Sequence, residues 1–327
     1  MSKTDFISVI IPTYNRRSFL EEAFHSITLQ TLARDRFEVI VVDDGSTVGT
    51  PEIDFRKYPI SIRYIYQSNQ GDAAARNTGA LQSQAELLVF IDDDILLHPC
   101  YLEIIASAHT GSSNKIITGN EIIWNFETEP PYSLPLDPAL INCSEMNFAD
   151  VCSNNMSIRR EQYLDVGMME GLGFLGSSMW CDVDFSYRAF LKGFSFLHCP
   201  QAVCWHRDYV LRSLKSRKTR YREAAYRAVA LFQKYPDLLP YIPMFRDKTP
   251  IDWNRDGVEL ILKKIMRQIG SSDLPVTIIE WFAQLLESYS QSSPVYQSFV
   301  RWTVGASIFR GYRQGLQEIE LVSMEQT

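Results

Sequence analysis

Short apolar runs alternate with helix-like segments along the N-terminal part of the chain. Runs typical of buried strands cover residues 6–11, 37–42, 60–66, 87–91 and 115–124. Between them, apolar side chains recur at helical spacing, as at Leu20, Phe24 and Ile27. Strands separated by helices indicate βαβ units. The pattern therefore predicts an α/β fold with a mostly parallel sheet that is flanked by helices.

The pattern changes in the C-terminal part of the chain. Apolar stripes at helical spacing begin at Val258, at Ile278 and beyond Pro294. Such stripes are typical of helices that bury one face. The sequence thus predicts two parts, an α/β domain over residues 1–235 and a helical C-terminal extension over residues 236–327.

The composition is that of a globular protein. The chain has 327 residues, of which 46% are hydrophobic and 22% charged, enough for a large domain with an extension. Its formal net charge of −7 argues against nucleic acid as a partner of the whole molecule. The six cysteines are expected to be reduced thiols, because the chain is neither small nor evidently secreted.

Targeting and membrane-spanning signals are not recognised in the sequence. The first residues lack a basic region followed by an apolar stretch, and no run approaches the roughly 18 apolar residues that a membrane span needs. The protein is therefore expected in the cytosol.

A local excess of cations leaves a membrane contact open. Eight Lys or Arg residues lie between Arg207 and Arg227, against two acidic residues. This stretch could lie at the inner face of a membrane, and the aromatic last helix could lie at a membrane surface or form a homodimer. A solvated basic face, and packing of the last helix on the core, are the alternatives.

Polar clusters follow three of the predicted strands. They cover residues 12–16, 43–46 and 92–94. Because ligands of open α/β sheets bind at the carboxyl ends of the strands, we expect these clusters to converge. Carboxylates gathered there predict a site for a metal ion and a phosphate-bearing ligand, and so an enzyme that acts on a nucleotide-activated substrate.

Three consecutive acids, Asp92, Asp93 and Asp94, make the strongest of these signals. In an extended segment alternate residues point the same way, so Asp92 and Asp94 are expected to face one ligand and Asp93 the other side. Oxygen ligands of this kind suit Mg²⁺ or Mn²⁺. The alternative, a solvated acidic turn, would leave three like charges adjacent without a cation.

Other candidate side chains lie near the predicted strand and helix ends. Asp43 and Asp44 could accept hydrogen bonds from a base or a ribose, although an Asp-Gly turn alone is common. Arg76 lies in a helix start of small residues and can reach a diphosphate. Asp182 and Asp184 begin another helix, where one suits an N-cap and the other a general base.

Taken together, the order of these motifs resembles that of the family 2 glycosyltransferases, which have the GT-A fold with a Rossmann-like sheet. The matching segments are 12–16, 41–46, 75–79, 92–94, 181–188 and His206. Each motif alone is modestly specific, but their common order and spacing are much more so. The resemblance extends from about residue 6 to about residue 235.

This resemblance implies an inverting, metal-dependent hexosyl-type transfer from a nucleotide sugar, in the first place a UDP-sugar. The acceptor would carry a hydroxyl group, as a glycan, a lipid-linked saccharide or a secondary metabolite does. The implied roles are nucleotide binding by Thr13, Tyr14, Asp43, Asp44 and Arg76, binding of Mn²⁺ or Mg²⁺ by Asp92, Asp94 and His206, and general base catalysis by Asp182.

One position departs from the family pattern. Cys181 stands where the family usually has Glu before the catalytic Asp, which would reshape the acceptor site or lower activity. Two other functions therefore stay open. One is a non-catalytic subunit that binds nucleotide sugars. The other is a sugar-phosphate nucleotidyltransferase, although such enzymes use a glycine-rich basic loop that residues 12–17 do not provide.

Overall fold

A computed structural model describes residues 6–48, 52–111, 114–124, 128–171, 179–207, 213–287 and 293–325. These residues form two compact units. The first unit contains the described residues up to Gly171 together with residues 181–207. The second contains Met179, Trp180 and the described residues from Ser213 onward.

One sheet of nine strands forms the centre of the first unit. The strands are β1 (Ile7–Thr13), β2 (Phe37–Asp43), β3 (Ile62–Tyr66), β4 (Leu87–Ile91), β5 (Ile95–Leu97), β6 (Lys115–Ile123), β7 (Ser144–Glu145), β8 (Asn155–Arg159) and β9 (Ser195–His206). Their order across the sheet is β3-β2-β1-β4-β8-β6-β9-β5, and β7 pairs with β9.

The sheet confirms the α/β fold but is more mixed than the predicted, mostly parallel one. Strands β1 to β4 pair in parallel, as does β6 with β9. Strand β8 is antiparallel to both β4 and β6, and β9 is antiparallel to β5 and β7. Two parallel neighbours need a long crossover connection between them. Among the described residues, the short strands β5 and β7 follow β4 and β6 without an intervening helix. The parallel arrangement predicted from alternating strands and helices therefore holds for β1 to β4 but not for most of the remaining strands.

Helices cover the sheet of the first unit. They are α1 (Arg17–Thr28), α2 (Asp72–Gln82), α3 (Tyr101–Ala108), α4 (Arg160–Val166) and α5 (Cys181–Leu191). The predicted apolar positions of α1 are fully buried. Helix α2 lies so close to β1 that a Cβ atom at Gly79 would come within 2.5 Å of the Ile10 side chain. The small residues of α2 thus bring its N-terminus to the sheet edge where the polar clusters lie.

The second unit is helical. Its long helices are α6 (Leu214–Lys234), α7 (Val258–Gly270), α8 (Asp273–Glu287) and α9 (Pro294–Glu325). Helix α6 packs along α9 at a very short distance, since a Cβ atom at Gly315 would lie 2.5 Å from the carbonyl oxygen of Tyr226. The two compact units divide the chain before α6, and glycines in α9 admit the backbone of α6 within the second unit. The domain boundary at residue 235 stays a prediction. Tyr296, Val300 and Tyr312 of α9 are buried within this unit.

Neither unit contains a membrane-spanning helix among its described residues, since none combines the required length and hydropathy. The basic stretch that begins at Arg207 lies partly outside the described residues, because residues 208–212 are not among them. The stretch continues on α6, which begins with a capping box in which Ser213 and Ser216 exchange hydrogen bonds between side chain and backbone.

Candidate active site

The carboxyl ends of β1, β2 and β4 meet at a cavity of about 230 Å³. Thr13 and Asp43 are register partners on β1 and β2, and Asp92 directly follows β4. The polar clusters that the sequence predicted to converge therefore lie together. The residues that line the cavity are Pro12, Thr13, Tyr14, Arg16, Asp44, Asp72, Arg76, Asp92 and Asp93.

Asp44 organises one wall of this cavity. Its Oδ1 accepts hydrogen bonds from Gln67 Nε2 at 2.7 Å and from the backbone N–H of Gln70 at 2.9 Å. Its Oδ2 accepts from the backbone N–H of Gly71 at 2.8 Å. Gly71 has a φ of 92°, a conformation that favours glycine, and it directly precedes α2. One carboxylate thus fixes the loop between β3 and α2 against the end of β2.

Asp43 is fully buried and does not line the cavity. Its Oδ1 accepts from the backbone N–H of Ser46 at 2.7 Å, and its Oδ2 accepts from the Tyr64 hydroxyl at 2.6 Å. Both oxygens are therefore used to hold the turn after β2. Contact of Asp43 with a nucleotide stays a prediction, while its observed contacts are structural.

Thr13 and Tyr14 form the part of the cavity that follows β1. The Thr13 hydroxyl donates to Asp93 Oδ2 at 2.8 Å, so it links the ends of β1 and β4. Tyr14 is 47% exposed and presents its ring at the cavity. An exposed aromatic ring beside a polar cleft can stack on a base. Tyr14 therefore has the free surface that a nucleotide-binding role requires.

The three acids after β4 do not alternate in the way predicted. The backbone N–H of Ile95 bonds to the carbonyl oxygen of Asp92 at 3.1 Å, which closes a turn over these residues. Asp93 consequently lines the same cavity as Asp92, and it forms a 2.9 Å ion pair with Arg16. Burial raises the pKa of Asp93 to about 7, although Arg16 opposes the shift. The expectation that Asp93 faces away was wrong because the segment is a turn.

Arg76 is a buried cation in the cavity wall. Its guanidinium binds Asp72 at 2.6 Å and also pairs with Asp92. Burial alone would lower the pKa of Arg76, but the two carboxylates outweigh it and raise the pKa. The side chain is therefore held as a fixed positive charge, which suits a diphosphate ligand.

Asp94 and His206 face each other beyond Arg16. Asp94 Oδ2 binds Arg16 at 2.6 Å, while Asp94 Oδ1 lies 3.5 Å from His206 Nε2. Among the described residues, this buried Oδ1 has no hydrogen-bond partner. Burial would raise the pKa of Asp94, but His206 and Arg16 lower it overall. The carboxylate is ionised and one of its oxygens remains open to a cation.

Glu121 was missed by the sequence analysis. It lies on β6, and His206 Nδ1 donates to its Oε1 at 2.7 Å, while Asn154 Nδ2 donates to its Oε2 at 2.8 Å. Burial lowers the pKa of His206, but Asp94 and Glu121 outweigh it and raise the pKa to about 10. The available signal was a polar Gly119-Asn120-Glu121 triplet within an otherwise apolar strand.

The predicted metal ligands are brought close together but do not surround one point. In the described part of the chain, no group of three His, Cys, Asp or Glu side chains is arranged to hold an ion. Asp92 is instead bound to Arg76. The raised pKa of His206 keeps a proton on its Nε2, and a metal ion would have to displace this proton. The open Oδ1 of Asp94 and the deprotonated Nε2 would then be an oxygen and nitrogen donor pair of the kind that Mn²⁺ accepts. These two residues fit a metal ion whose other ligands come from substrate and water.

Asp182 and Asp184 have different environments at the start of α5. Asp184 is fully buried and binds Arg188 at 2.8 Å, and Arg188 also donates to the carbonyl oxygens of Val166 and Met168. Asp182 accepts from the backbone N–H of Val183 at 2.9 Å. Burial raises the pKa of Asp182, while the nearby charge of Arg76 opposes this shift. Asp184 therefore fixes the helix. Asp182 is not among the residues that line the cavity, but it lies near enough to Arg76 to be affected by its charge, and its role as general base stays a prediction.

Cys181 precedes this acid and is buried. Burial, followed by the charge of Asp182, raises the pKa of its thiol well above the ordinary value. A thiol rather than a thiolate is therefore present at neutral pH, which argues against a cysteine nucleophile. All six cysteines are free thiols, in agreement with the expectation from the sequence.

Known proteins resemble the N-terminal part of this chain. Residues 8–163 match the sequence model of Glycosyl transferase family 2. A validoxylamine A glucosyltransferase from Streptomyces hygroscopicus subsp. jinggangensis is 39% identical over 123 residues, which are 36% of this chain and 29% of that protein. The glycosyltransferase AglE from Haloferax volcanii is 37% identical over 123 residues, 36% of this chain and 40% of that protein. The match thus spans less than half the length of either relative.

A solved structure shares the fold over nearly the whole chain. The mannosyltransferase PcManGT from Pyrobaculum calidifontis, in complex with GDP-Man and Mn²⁺, superposes with a TM-score of 0.62 at 17% identity. The superposition covers 97% of this chain and 88% of that one. At this identity the likeness concerns the fold, which is the GT-A fold that the motifs implied. Over residues 8–163 this chain thus matches the sequence pattern of glycosyl transferase family 2.

Proposed function

We propose that the protein transfers a hexosyl group, with inversion, from a nucleotide sugar to a hydroxyl acceptor, and that it requires Mn²⁺ or Mg²⁺. The observation that carries the proposal is the cavity at the ends of β1, β2 and β4. It combines an exposed aromatic ring, a buried arginine and several carboxylates within one small space. Such a combination suits a nucleoside with a diphosphate.

The nucleoside would lie along the wall that Asp44 and Tyr14 provide. Tyr14 can stack on the base, and Asp44 fixes the loop before α2 that borders this wall. The Thr13 hydroxyl and Arg16 join this wall to the acids after β4. Arg76 would hold the diphosphate through charge-assisted hydrogen bonds, since its guanidinium cannot lose its proton. We propose a UDP-sugar as donor, with a GDP-sugar as the alternative.

Asp182 would act as the general base. A sugar hydroxyl is a poor nucleophile, so a carboxylate must take its proton as the oxygen attacks the anomeric carbon. The bond between that carbon and the diphosphate oxygen breaks on the opposite face, which inverts the configuration. A pKa that burial raises makes Asp182 a stronger base than an exposed Asp. Attack on one face and departure from the other require no covalent enzyme intermediate.

Asp94 and His206 would hold the metal ion. When bound, this ion would neutralise charge on the departing diphosphate. Glu121 would keep the His206 ring oriented through its hydrogen bond to Nδ1. Arg16 already binds Asp94 through the other carboxylate oxygen, which leaves Oδ1 as the donor atom.

Related proteins support the proposal without defining the donor. The relative from Streptomyces is a glucosyltransferase, and the structure from Pyrobaculum contains GDP-Man and Mn²⁺. The six free thiols suit the reducing cytosol, where we propose that the protein acts. The acceptor would be a glycan, a lipid-linked saccharide or a secondary metabolite.

A thermal-shift screen of nucleoside diphosphates and nucleotide sugars, with and without Mn²⁺, tests the proposal. A ligand that binds only the native state raises the melting temperature by mass action. We expect a metal-dependent shift with one nucleotide, and its loss in Asp94→Ala but not in the exposed control Asp35→Ala. Shifts with nucleoside triphosphates and sugar phosphates alone would favour a nucleotidyltransferase. Binding without turnover of any acceptor or of the donor itself would favour a non-catalytic subunit.

A further inference from the structure

Helix α7 turns its apolar side outward. Five large hydrophobic residues of this helix are exposed, among them Val258 at 75% and Ile269 at 64%. They recur at helical spacing and so form one continuous stripe, which consists of Val258, Leu262, Ile265, Met266 and Ile269. An ordinary surface helix of a globular protein buries such a stripe.

Two cations of α7 point inward instead. Lys264 is only 5% exposed and binds Asp256 at 2.5 Å and the carbonyl oxygen of Pro250 at 2.8 Å. Arg267, on the same side, binds Asp247 at 3.0 Å. The polar side of the helix is thus fastened within its own unit by ion pairs. The usual orientation of an amphipathic helix is reversed.

Helix α8 repeats this arrangement. Its buried positions include the smaller residues Val276 and Ala283. The large residues point outward, with Trp281 at 59% exposure, and they are Leu274, Ile278, Trp281, Phe282 and Leu285. Only Ser271 and Ser272 separate α7 from α8. We call these ten outward-facing residues of the two helices the α7–α8 face.

The size of the α7–α8 face requires a cover. Each of the two stripes has five large side chains that are about half exposed, so each presents on the order of 500 Å² of apolar surface and the two together about 1,000 Å². The largest apolar patch of a typical monomer is roughly 300–600 Å². Water contact with so large a patch is unfavourable, so the face is expected to be buried against another surface.

Cations beside the α7–α8 face indicate what kind of surface would cover it. A cavity of about 440 Å³ beside the first turn of α7 is lined by Arg246, Arg255 and Lys263. Two acids also line it, but Asp247 binds both Lys248 and Arg267, and Glu259 binds Lys263. Lys263 and Glu259 thus neutralise each other, while Arg255 lies 3.9 Å from Asp252. The excess positive charge of this lining therefore rests mainly on Arg246 and Arg255, and the cavity suits phosphate groups.

Two exposed tryptophans, one beside the face and one within it, also favour contact with lipid headgroups. Trp253 is 73% exposed just before α7, and Trp281 belongs to the face itself. Tryptophan is enriched where hydrocarbon meets lipid headgroups. An apolar stripe flanked by Trp and Arg or Lys is typical of a helix that lies in the membrane interface.

We propose that the α7–α8 face lies on the surface of an anionic lipid bilayer, with Arg246 and Arg255 on the headgroup phosphates. A second copy of the chain would bring the same cations, whereas the bilayer supplies anions. The proposal rests on the second unit alone and holds whether or not the proposed transfer is correct. Lipid binding requires no donor, metal or acceptor.

Flotation of the full chain with vesicles tests the proposal. Vesicles of equal parts phosphatidylglycerol and phosphatidylcholine are expected to carry the protein upward at physiological salt, and those of phosphatidylcholine alone much less. The variant Leu262→Gln/Ile269→Gln should bind at least about tenfold more weakly, because apolar area drives insertion. Arg246→Gln/Arg255→Gln should lose the preference for anionic vesicles. Gln268→Ala, exposed on the same helix but outside the stripe, is the matched control.

Far-ultraviolet circular dichroism shows whether each variant is folded. Quenching of tryptophan fluorescence by brominated lipid provides a readout on the unmodified chain, and Trp281→Phe should reduce it. Absence of flotation with anionic vesicles would overturn the proposal, as would equal binding of the unmodified chain and Leu262→Gln/Ile269→Gln. A dimer in analytical ultracentrifugation that this variant dissociates, without vesicle binding, would assign the face to a second copy.

Discussion

His206 is held between two carboxylates, with its Nδ1 donating to Glu121 Oε1 at 2.7 Å and its Nε2 lying 3.5 Å from Asp94 Oδ1. The bond to Glu121 places a proton on Nδ1 and thereby orients the ring. The other ring nitrogen then faces an open, ionised carboxylate oxygen. A positive charge is favoured between these two atoms. The raised pKa of His206 means that a proton on Nε2 supplies this charge in the metal-free protein, and a metal ion held by the pair would replace that proton, with Glu121 as the orienting third group.

Removing the Glu121 carboxylate should weaken metal binding without removing a ligand. In Glu121→Ala, the Nδ1–H of His206 and the amide of Asn154 lose their acceptor. We expect the affinity for Mn²⁺, measured by titration calorimetry with saturating nucleoside diphosphate, to fall by about 10–100-fold. Glu121→Gln keeps an acceptor oxygen for Nδ1 and should recover most of this loss.

Glu103→Ala serves as the control for this experiment. Glu103 belongs to α3, accepts a hydrogen bond from the Thr31 hydroxyl and lies outside the cavity. Equal Mn²⁺ affinity in Glu121→Ala and the unmodified protein would contradict a positioning role for Glu121. A merely structural role would lower the melting temperature and leave the Mn²⁺ affinity of the folded protein unchanged.

Asp44 and Asp43 are adjacent but should respond differently to the same substitution. Asp44→Asn replaces one of the two carboxylate oxygens with an amide NH₂, so the backbone N–H of either Gln70 or Gly71 loses its acceptor. The loop before α2 should loosen, and donor affinity should fall about 5- to 150-fold, a loss of roughly 1–3 kcal/mol. Nucleotide titrations of the folded variant measure this effect.

Asp43→Asn is the companion variant. It disturbs the bonds from Ser46 and Tyr64, which hold the turn after β2 and do not line the cavity. The free energy of unfolding should fall by roughly 1–3 kcal/mol. Donor affinity should change less than in Asp44→Asn. A larger loss of affinity in Asp43→Asn would show that Asp43 is the nucleotide ligand of the pair.

His109 makes stability depend on pH away from the cavity. It is fully buried, its Nε2 shares a 2.9 Å hydrogen bond with Ser157 Oγ, and Lys115 and Arg159 lie near it. Burial, aided by these two cations, lowers its pKa to about 3. Below the unfolded pKa of about 6.5, the unfolded chain binds a proton that the native protein excludes. Stability from this group is therefore lost as pH falls from about 6.5 towards 3.

Between pH 7 and pH 5 this term should lower the free energy of unfolding by about 2 kcal/mol. Other groups titrate over the same range, so the comparison is with His109→Gln, which can keep the bond to Ser157. Denaturant unfolding measures the free energy of unfolding at both pH values. Its decrease from pH 7 to pH 5 should be smaller in His109→Gln than in the unmodified protein, by about 2 kcal/mol. Parallel pH profiles would mean that His109 is protonated in the native protein.

The sequence predicted those parts of the site that depend on where single strands end. Strand ends can be read from the change of apolar runs into polar clusters, and β1, β2 and β4 bring Thr13, Asp44 and Asp92 together as predicted. The turn over Asp92 to Asp94 was not predicted, because alternation holds only while a strand continues. One hydrogen bond from Ile95 therefore decides where Asp93 points.

Contacts between distant segments were beyond the sequence pattern. Glu121 contacts His206 only because β6 pairs with β9. The sequence pattern does not tell which strands become neighbours in the sheet, so it could not predict this contact. The stripes of α7 and α8 were correctly predicted as helical, but periodicity alone does not tell which way a stripe faces. Ion pairs of Lys264 and Arg267 turn α7 so that these two cations are inward.

The most direct test of the proposed transfer is the rate of Asp182→Asn with the donor and acceptor that support turnover. The substitution keeps the shape of the side chain but removes the base, so the rate should fall by about 10²–10⁴-fold while donor affinity stays within about threefold. Asp165→Asn, an exposed acid paired with Lys192, should behave like the unmodified protein. Transfer that survives in Asp182→Asn at an unchanged rate would contradict the assignment of Asp182 as the general base.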